Sequence, residues 1–308
     1  MPYALALHGG AGIIRRTDMP ADLEAAYRTS LAAALDTGLA ILSAGGPALD
    51  AVEACVIALE DNPLFNAGHG AVFNLAGEIE LEAAVMDGSS QLAGTVTGVR
   101  RAKNPVRLAR AVMERTPHVS IGFAEADCLA AQYGLECVEP DYFVTESRRV
   151  TLQAELARLA AGRSEAEVPD HIKHGTVGAV ALDMTGRLAA ATSTGGRTAK
   201  MAGRIGDTPI LGAGTWADQR VAVSGTGHGE YFMRYAVAHD IAARVRYLGQ
   251  DIASAAGEVM AALREVGGSG GVIAIDWQGR IAMPFNCEGM YRAMADAAGQ
   301  RLVAIDQQ

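Results

Sequence analysis

The chain has 308 residues, of which half are apolar, 5% are aromatic and 36 are glycine, a composition typical of a soluble α/β protein with closely packed backbones. Its formal net charge of −9, with Lys and Arg clustered only in pairs, argues against a nucleic-acid partner, because binding phosphates requires a concentrated cationic face. The sequence has neither an 18-residue apolar window nor a signal-peptide pattern, so we expect a cytoplasmic protein with no membrane partner.

In chain order, the first half predicts a buried strand that enters a glycine loop, two helices, a hairpin and two further helices. Apolar residues recur at helical intervals in the helices and alternate or cluster in the strands. These elements are expected at residues 3–8, 23–45, 47–59, 78–99, 105–113 and 123–133.

Residues 146–174 are charged and poor in apolar side chains, which predicts a surface helix running into a flexible segment. The second half restarts with two hairpins, at 177–192 and 271–285, which share one pattern and are therefore expected to be adjacent in one sheet. Between the hairpins we predict a strand at 221–224, a long helix at 230–247 and a further helix at 251–266. Strands flanked by helices predict a sheet-containing sandwich with helical outer layers.

The four cysteines are irregularly spaced and include no C-x-x-C pair, which argues against zinc or redox chemistry. Their apolar neighbours predict buried thiols. They are Cys55, Cys128, Cys137 and Cys287.

A junction at Gly175-Thr176 joins the flexible segment directly to a predicted buried strand. Such a junction suits a cleavage site after which the new terminus lies in the core. A freed Thr amine has an unperturbed pKa of about 7.7–8.0, close to working pH, so one residue could supply both nucleophile and base. On its own the dipeptide is unspecific, and an ordinary β-branched strand residue is the commoner explanation of a threonine in this position.

Seven motifs along the chain support the interpretation of Gly175-Thr176 as a cleavage site. Together, and in this order, they resemble the plant-type asparaginase and isoaspartyl dipeptidase family of N-terminal nucleophile hydrolases. They cover nearly the whole chain. They are LHGGAG at 7–12, LEDNPLFNAGHG at 59–70, VMDG at 85–88, HGTVGAVALD at 174–183, ATSTGG at 191–196, GRIGDTPILGAG at 203–214 and SGTGHGE at 224–230.

The resemblance implies a four-layer αββα sandwich of mixed α/β class and a chain that cuts itself. Residues 1–175 would form an α subunit that ends in a flexible linker at about 160–175, and residues 176–308 a β subunit, both within one domain. The implied reaction is hydrolysis of L-asparagine, of β-aspartyl dipeptides, or of both. The implied assembly is a homodimer of cleaved αβ units.

For catalysis, the resemblance makes Thr176 the nucleophile and Thr194 the residue that orients it. Thr226 and Gly227 match the oxyanion site, where a hydroxyl and a backbone N–H face the developing charge.

For substrate binding, Arg204 and Asp207 match the pair that holds the α-carboxylate and the α-ammonium. Gly229 matches a glycine of the same turn as the oxyanion site, and Asn66 matches an asparagine near the nucleophile. His228 occupies a position that varies between Thr and His in the family, and we expect it at the substrate pocket without an acid–base role.

The resemblance also implies a structural sodium ion bound by main-chain carbonyls, and no organic cofactor. Side-chain identity does not test such a site, since an Asn-Pro turn forms without a metal. The implied carbonyls are those of Leu59, Glu60, Asn62, Phe65, Ala67 and His69.

Three alternatives remain open at this stage. A glycosylasparaginase-type hydrolase shares the fold, although Gly175-Thr176 and His228 count against it. The glycine turn at 225–229 could belong to a nucleotide- or anion-binding module, although it lacks the dinucleotide and phosphate-loop spacings. A member of the fold that never matures and only binds a partner is the third.

Overall fold

The computed structural model describes residues 3–12, 14, 19–162 and 175–306, and within them it shows a mixed α/β protein, as predicted. The strands are β1 Ala4–Gly12, β2 Leu81–Asp87, β3 Ala93–Val99, β4 Ser120–Gly122, β5 Val177–Leu182, β6 Leu188–Thr194, β7 Thr215–Ala217, β8 Val221–Gly227, β9 Gly270–Asp276, β10 Ile281–Ala282, β11 Gly289–Asp296 and β12 Arg301–Asp306. The α-helices are α1 Ala21–Ser43, α2 Ala48–Glu60, α3 Pro105–Arg115, α4 Ala124–Gln132, α5 Glu146–Ala160, α6 Gly229–Arg234, α7 Val237–Ala243 and α8 Ile252–Glu265.

Two sheets form the centre of the described structure. The larger sheet has the strand order β12-β11-β1-β5-β6-β2-β3-β4, and the smaller has β10-β9-β8-β7. Neighbouring strands are antiparallel except for β3 and β4. The predicted hairpins β2–β3 and β5–β6 are confirmed, and β1 lies inside the larger sheet, as its apolar sequence indicated.

Side-chain alternation explains how the sheets pack. Leu5 and Leu7 of β1 join a core shared with α1, α2 and α3, whereas Ala4 and Ala6 join a core between the two sheets. The same alternation in β8 points Ala222 toward the larger sheet and the neighbouring valines toward α7 and α8. Successive strand residues face opposite sides, so both faces of each sheet are covered.

The expectation that the two hairpins of the second half are adjacent in one sheet is wrong. The β5–β6 hairpin is in the larger sheet, and the β9–β10 hairpin is in the smaller one. A turn pattern fixes only the pairing within a hairpin. The neighbours beyond it are set by chain segments far away in sequence, here β1 beside β5 and β8 beside β9.

The single long helix predicted at 230–247 is also wrong, because it is interrupted between α6 and α7. Ala236 adopts a left-handed φ of 47°, and a π-helical turn follows α7 at Arg244–Leu248. The N–H groups of Ala238 and His239 donate to the carbonyls of Ala213 and Gly212, so they do not continue the hydrogen bonding of α6.

Two of the four cysteines depart from the buried-thiol prediction. Cys55 is buried, Cys287 is partly buried, and Cys128 and Cys137 are exposed. Local apolar sequence did not reveal that α4 and the segment after it lie at the surface.

Within the described ranges, no helix is long and apolar enough to cross a membrane.

Candidate active site

A row of polar residues crosses the larger sheet on the face that packs against the smaller one. Extending the β5–β6 register by one position places Thr176 opposite Thr194, and Thr194 pairs in turn with Glu82 of β2. Directly opposed residues of antiparallel strands point to the same face. The sheet therefore aligns these three side chains, which are distant in sequence.

The Thr176 hydroxyl is buried and donates a hydrogen bond to Thr194 Oγ1 over 3.0 Å. The Gly196 N–H donates to the same Thr194 oxygen over 2.9 Å. Two bonds converging on Thr194 fix its rotamer, and Thr194 in turn fixes the direction of the Thr176 hydroxyl. This geometry fits the orienting role that the resemblance implied for Thr194.

A second set of contacts holds the main chain of Thr176. His8 Nδ1 donates to the Thr176 carbonyl over 2.9 Å, and His8 Nε2 lies 2.9 Å from Ser224 Oγ. Burial lowers the pKa of His8 to about 3, against the opposing effect of its bond to the Thr176 carbonyl. A neutral His8 with its proton on Nδ1 must accept from Ser224 at Nε2.

The proton direction on His8 sets the direction of the hydroxyls behind it. Ser224 Oγ lies 2.7 Å from Thr192 Oγ1, and Thr215 Oγ1 donates to Thr192 over 2.7 Å. Since Ser224 donates to His8, it accepts from Thr192. A buried relay of hydroxyls from three strands therefore supports Thr176 through its carbonyl, a contact that sequence reasoning missed.

The glycine loop expected after the first strand is instead the end of β1, which stays paired with β11 through Gly12 after a register shift between His8 and Gly10. This part of β1 packs directly on the peptide that joins Gly175 to Thr176. Gly10 has a φ of 116°, and a Cβ at this position would lie 2.7 Å from Gly175 Cα. Only glycine allows both the backbone conformation and the close approach. Gly175 itself is buried, and a Cβ there would lie 3.0 Å from Asn66 Cβ.

Thr226 and Gly227 end strand β8 beside this cluster. Thr226 is fully buried, and its Oγ1 has no hydrogen-bond partner within the part of the chain that the structure describes. Gly227 has a φ of 150°, and a Cβ there would collide with the Ser269 carbonyl. An unpartnered buried hydroxyl is costly, and its position beside the Thr176–Thr194 pair is consistent with the oxyanion role that the resemblance implied for Thr226.

Arg204 and Asp207 lie on the loop between β6 and β7. Arg204 Nε and Nη2 both donate to Glu230 Oε1, over 3.1 and 3.0 Å. Burial raises the pKa of Asp207 to about 7, which the nearby Arg204 opposes. Asp207 Oδ2 is buried without a partner among the described residues, as expected of a group that receives a substrate ammonium.

Neighbouring residues hold this loop in place. Glu82 accepts the Gly206 N–H at both carboxylate oxygens, each over 3.1 Å, at a position between Arg204 and Asp207. A Cβ at position 229 would lie 2.6 Å from Asp207 Oδ1 and 3.0 Å from Arg204 Nη2, so Gly229 provides the space that both side chains occupy.

Asn66 forms a hydrogen bond with the loop after Thr194 and has no described contact with the Thr176 hydroxyl. Its Nδ2 donates to the Gly196 carbonyl over 2.7 Å, and its Oδ1 accepts the Val72 N–H over 2.9 Å.

His228 lies before α6, where its Nε2 is 3.4 Å from Glu230 Oε2 and its ring contacts Tyr231.

The glycine turn at 225–229, considered as an anion-binding loop, lies mostly within a paired strand. Gly225, Thr226 and Gly227 pair with β9 as part of strand β8. The N–H groups of Gly225 and His228 donate to the carbonyls of Gly214 and Ser269. Amides already bonded in this way cannot cradle a phosphate.

One small cavity gathers most of the predicted site. Thr226, Asn66, His228 and Gly229 are not among its described lining residues. Arg197 lines it and was missed by sequence reasoning, although it directly follows the ATSTGG motif. The described lining residues are Thr176, Thr194, Gly196, Arg197, Arg204, Asp207 and Gly227.

The loop expected to bind sodium follows α2 and folds back on itself. The Leu59 and Asn62 carbonyls accept the N–H groups of Asn62 and Phe65, and the Glu60 carbonyl accepts that of His69 over 2.7 Å. Each carbonyl oxygen keeps a second lone pair, so these bonds are compatible with a cation. The described residues contain no His, Cys, Asp and Glu cluster that could hold a metal, which a site made of carbonyls does not need.

Comparison with known proteins gives a consistent picture. A family model described as asparaginase matches residues 1–305. The isoaspartyl peptidase of Escherichia coli (strain K12) is 50% identical, with 94% of this chain and 91% of the relative covered. That of Salmonella typhimurium is 48% identical, with 94% of each chain covered. The isoaspartyl peptidase/L-asparaginase of Xenopus laevis is 41% identical, with 94% and 91% covered.

Proposed function

This chain belongs to the asparaginase family, and from that premise we propose that it is a self-processing amidohydrolase acting on L-asparagine and β-aspartyl dipeptides. The observation that carries the proposal is the Thr176–Thr194 hydroxyl pair in a cavity that also contains Arg204 and Asp207. A nucleophile beside a receptor for an amino-acid zwitterion is what hydrolysis at an aspartyl side chain requires.

Maturation begins with Thr176 Oγ attacking the carbonyl carbon of Gly175. The C–N bond breaks, the proton lost by the hydroxyl passes to the Thr176 nitrogen, and Gly175 becomes an ester of the Thr176 oxygen. Water then hydrolyses the ester, leaving a Gly175 carboxylate and a free Thr176 amine. The Gly10 contact and the His8 bond to the Thr176 carbonyl support this step, because they fix the peptide on both sides of the reacting bond.

In the mature enzyme, the Thr176 amine accepts the hydroxyl proton, and Oγ attacks the side-chain amide carbonyl of the substrate. The oxyanion is stabilised by Thr226 Oγ1 and the Gly227 N–H. The amine leaving group departs with the proton, and water releases aspartate from the acyl-enzyme. Arg204 holds the substrate α-carboxylate and Asp207 its α-ammonium.

We further propose the four-layer αββα arrangement of N-terminal nucleophile hydrolases for the described fold, with residues 1–175 and 176–308 as the subunits of one domain. A homodimer of cleaved αβ units and a sodium ion on the 59–69 carbonyls belong to the same proposal. No organic cofactor takes part in the reaction as written, since Thr176 supplies both nucleophile and base.

The test compares wild type with Thr176→Ala and Thr176→Ser on L-asparagine and on a β-aspartyl dipeptide. Wild type should release aspartate from at least one of them, Thr176→Ser should keep partial activity, and Thr176→Ala should be uncut and inactive. Substantial turnover by Thr176→Ala would contradict the proposal. Activity on a glycosylated asparagine that exceeds both other substrates would favour the glycosylasparaginase alternative.

A further inference from the structure

Two buried carboxyl groups at the start of β2 bind the loop that carries the proposed substrate-binding residues. Glu80 lies directly before β2 and Glu82 lies within it, and they are 4% and 1% exposed. The Gly203 N–H donates to the two oxygens of Glu80 over 3.4 and 3.2 Å. The Gly206 N–H donates to both oxygens of Glu82 over 3.1 Å. The main chain is therefore held on both sides of Arg204.

The guanidinium of Arg204 also lies close to one of these carboxyl groups. A Cβ at position 206 would lie 2.7 Å from Arg204 Nη1 and 3.1 Å from Glu82 Oε2. Glycine at this position therefore provides the space in which the guanidinium approaches Glu82. Glu230 binds the same guanidinium at Nε and Nη2. Arg204 is thus placed between the carboxyl groups of Glu230 and Glu82.

A buried lysine supplies positive charge behind the two carboxyl groups. Lys200 is 3% exposed, and its Nζ donates to the main-chain carbonyl of Glu80 over 2.7 Å. Burial raises the pKa of Glu82, and Lys200 and Arg204 oppose this rise. Carboxyl groups are costly to bury unless they are hydrogen-bonded, and the described hydrogen bonds of Glu82 go only to the loop.

The proposed self-cleavage depends on a different set of groups. It uses the Gly175 carbonyl and the hydroxyls of Thr176 and Thr194, and it involves no amino-acid zwitterion. In the described hydrogen bonds, neither carboxyl group contacts these three residues. The main chains of Glu82 and Thr194 are nevertheless opposed in the β2–β6 ladder, so a role of Glu82 in self-cleavage can be tested against a role in substrate binding.

We propose that Glu80 and Glu82 are positioning residues that hold Arg204 and Asp207 at the spacing of an amino-acid zwitterion, and that they serve substrate binding without serving self-cleavage. The inference rests on the proposed function and deepens it. The Gly206 amide lies between Arg204 and Asp207 in the chain, so a shift of this amide changes the distance between the two groups that receive the substrate. A pair that must match two fixed charges loses affinity when its spacing changes.

The experiment compares wild type with Glu82→Leu, Glu82→Gln and Glu80→Gln. Glu78→Gln is the matched control, because Glu78 binds the same Arg100 as Glu80 and has no described bond to the loop. Self-cleavage of freshly folded chain is timed on a denaturing gel. The KM and kcat for β-aspartyl-leucine and the Ki of L-aspartate are then measured per cleaved molecule.

Glu82→Leu should raise KM and Ki by roughly 10- to 100-fold, the range for a hydrogen bond to a charged group, and leave kcat and self-cleavage close to wild type. Glu82→Gln and Glu80→Gln should raise the same two constants by roughly 2- to 10-fold, because each keeps one acceptor oxygen. Glu78→Gln should match wild type in all four measurements.

Two results would overturn the inference while leaving the proposed function intact. One is an unchanged KM and Ki in Glu82→Leu, or in both glutamine variants if the leucine variant does not fold. The other is a loss of self-cleavage in proportion to the loss of substrate affinity, which would show that the carboxyl groups support Thr194 or the fold. Cleaved wild type that hydrolyses neither L-asparagine nor the dipeptide would instead refute the proposed function, and the inference with it.

Discussion

Replacing Thr226 by valine should make the protein more stable and the enzyme much slower. The Thr226 hydroxyl is fully buried and has no described partner in the free site. Leaving such a group unpaired costs about 1–3 kcal/mol, and valine removes it with little change of shape. We expect a net gain of about 1 kcal/mol, or a rise in Tm of about 2 °C for a chain of this size.

The cost of this substitution should appear in catalysis. Loss of one oxyanion donor lowers kcat by about 100- to 1,000-fold, because the donor is aimed at charge that exists only in the transition state. Activity is measured per cleaved molecule on a β-aspartyl dipeptide. Stability is measured by thermal unfolding in the Thr176→Ala background, where the chain stays whole.

Thr95→Val is the matched control. Thr95 is a buried threonine of β3 whose hydroxyl also lacks a described partner. This variant should gain similar stability and keep wild-type kcat. If Thr226→Val were less stable than wild type, or retained more than a tenth of its kcat, the reasoning about the oxyanion hydroxyl would be refuted.

Three further predictions concern neighbouring groups. Thr194→Val should slow both self-cleavage and substrate turnover by roughly 100-fold, since the Thr176 hydroxyl loses the acceptor that orients it. Self-cleavage is followed on a denaturing gel and turnover by aspartate release. Unchanged rates in both measurements would count against this role of Thr194. Because burial raises the pKa of Asp207 to about 7, inhibition by L-aspartate should weaken up to tenfold for each pH unit below 7, and a flat Ki in wild type would be inconsistent with it. Burial also raises the pKa of Glu60 to about 8, despite a 2.6 Å bond donated by Ser193. Between pH 4.5 and 8 the Glu60 carboxyl keeps its proton in the folded state and loses it in the unfolded state. The stability that the protonated Glu60 contributes is therefore complete below about pH 4.5. The free energy of unfolding falls by up to about 1.4 kcal/mol per pH unit as the pH rises from there toward 8. Glu60→Gln should flatten that slope, and identical slopes in chemical denaturation would disprove the assignment.

Much of the fold could be predicted from sequence because its signals are local. The β5–β6 hairpin and helices α1 and α8 follow directly from alternation, helical periodicity and glycine stops. Strands β11 and β12 were missed, since their sequences carry weak turn signals. Their identity depends on long-range pairing, of β11 with β1 and of β12 with β11. The break at Ala236 arises from bonds to residues 212 and 213, which lie more than twenty positions away.

The candidate site shows the same division. The motifs identify Thr176, Thr194 and Asp207, which the structure brings into one cavity. The supports around them follow from strand register and loop packing, which no local motif encodes. Two such supporting contacts are the Gly206 N–H bonded to Glu82 and the His8 ring bonded to Ser224. The chemical roles of all these residues remain predictions until the variants are measured.

The central claim is that the free amine of Thr176 is required for catalysis. Its most direct test follows freshly folded chain over time, recording intact mass and dipeptide hydrolysis in the same samples. Activity should grow in proportion to the fraction of molecules that carry a new chain beginning Thr-Val-Gly-Ala. Full activity in samples whose chain is still uncut would contradict the account.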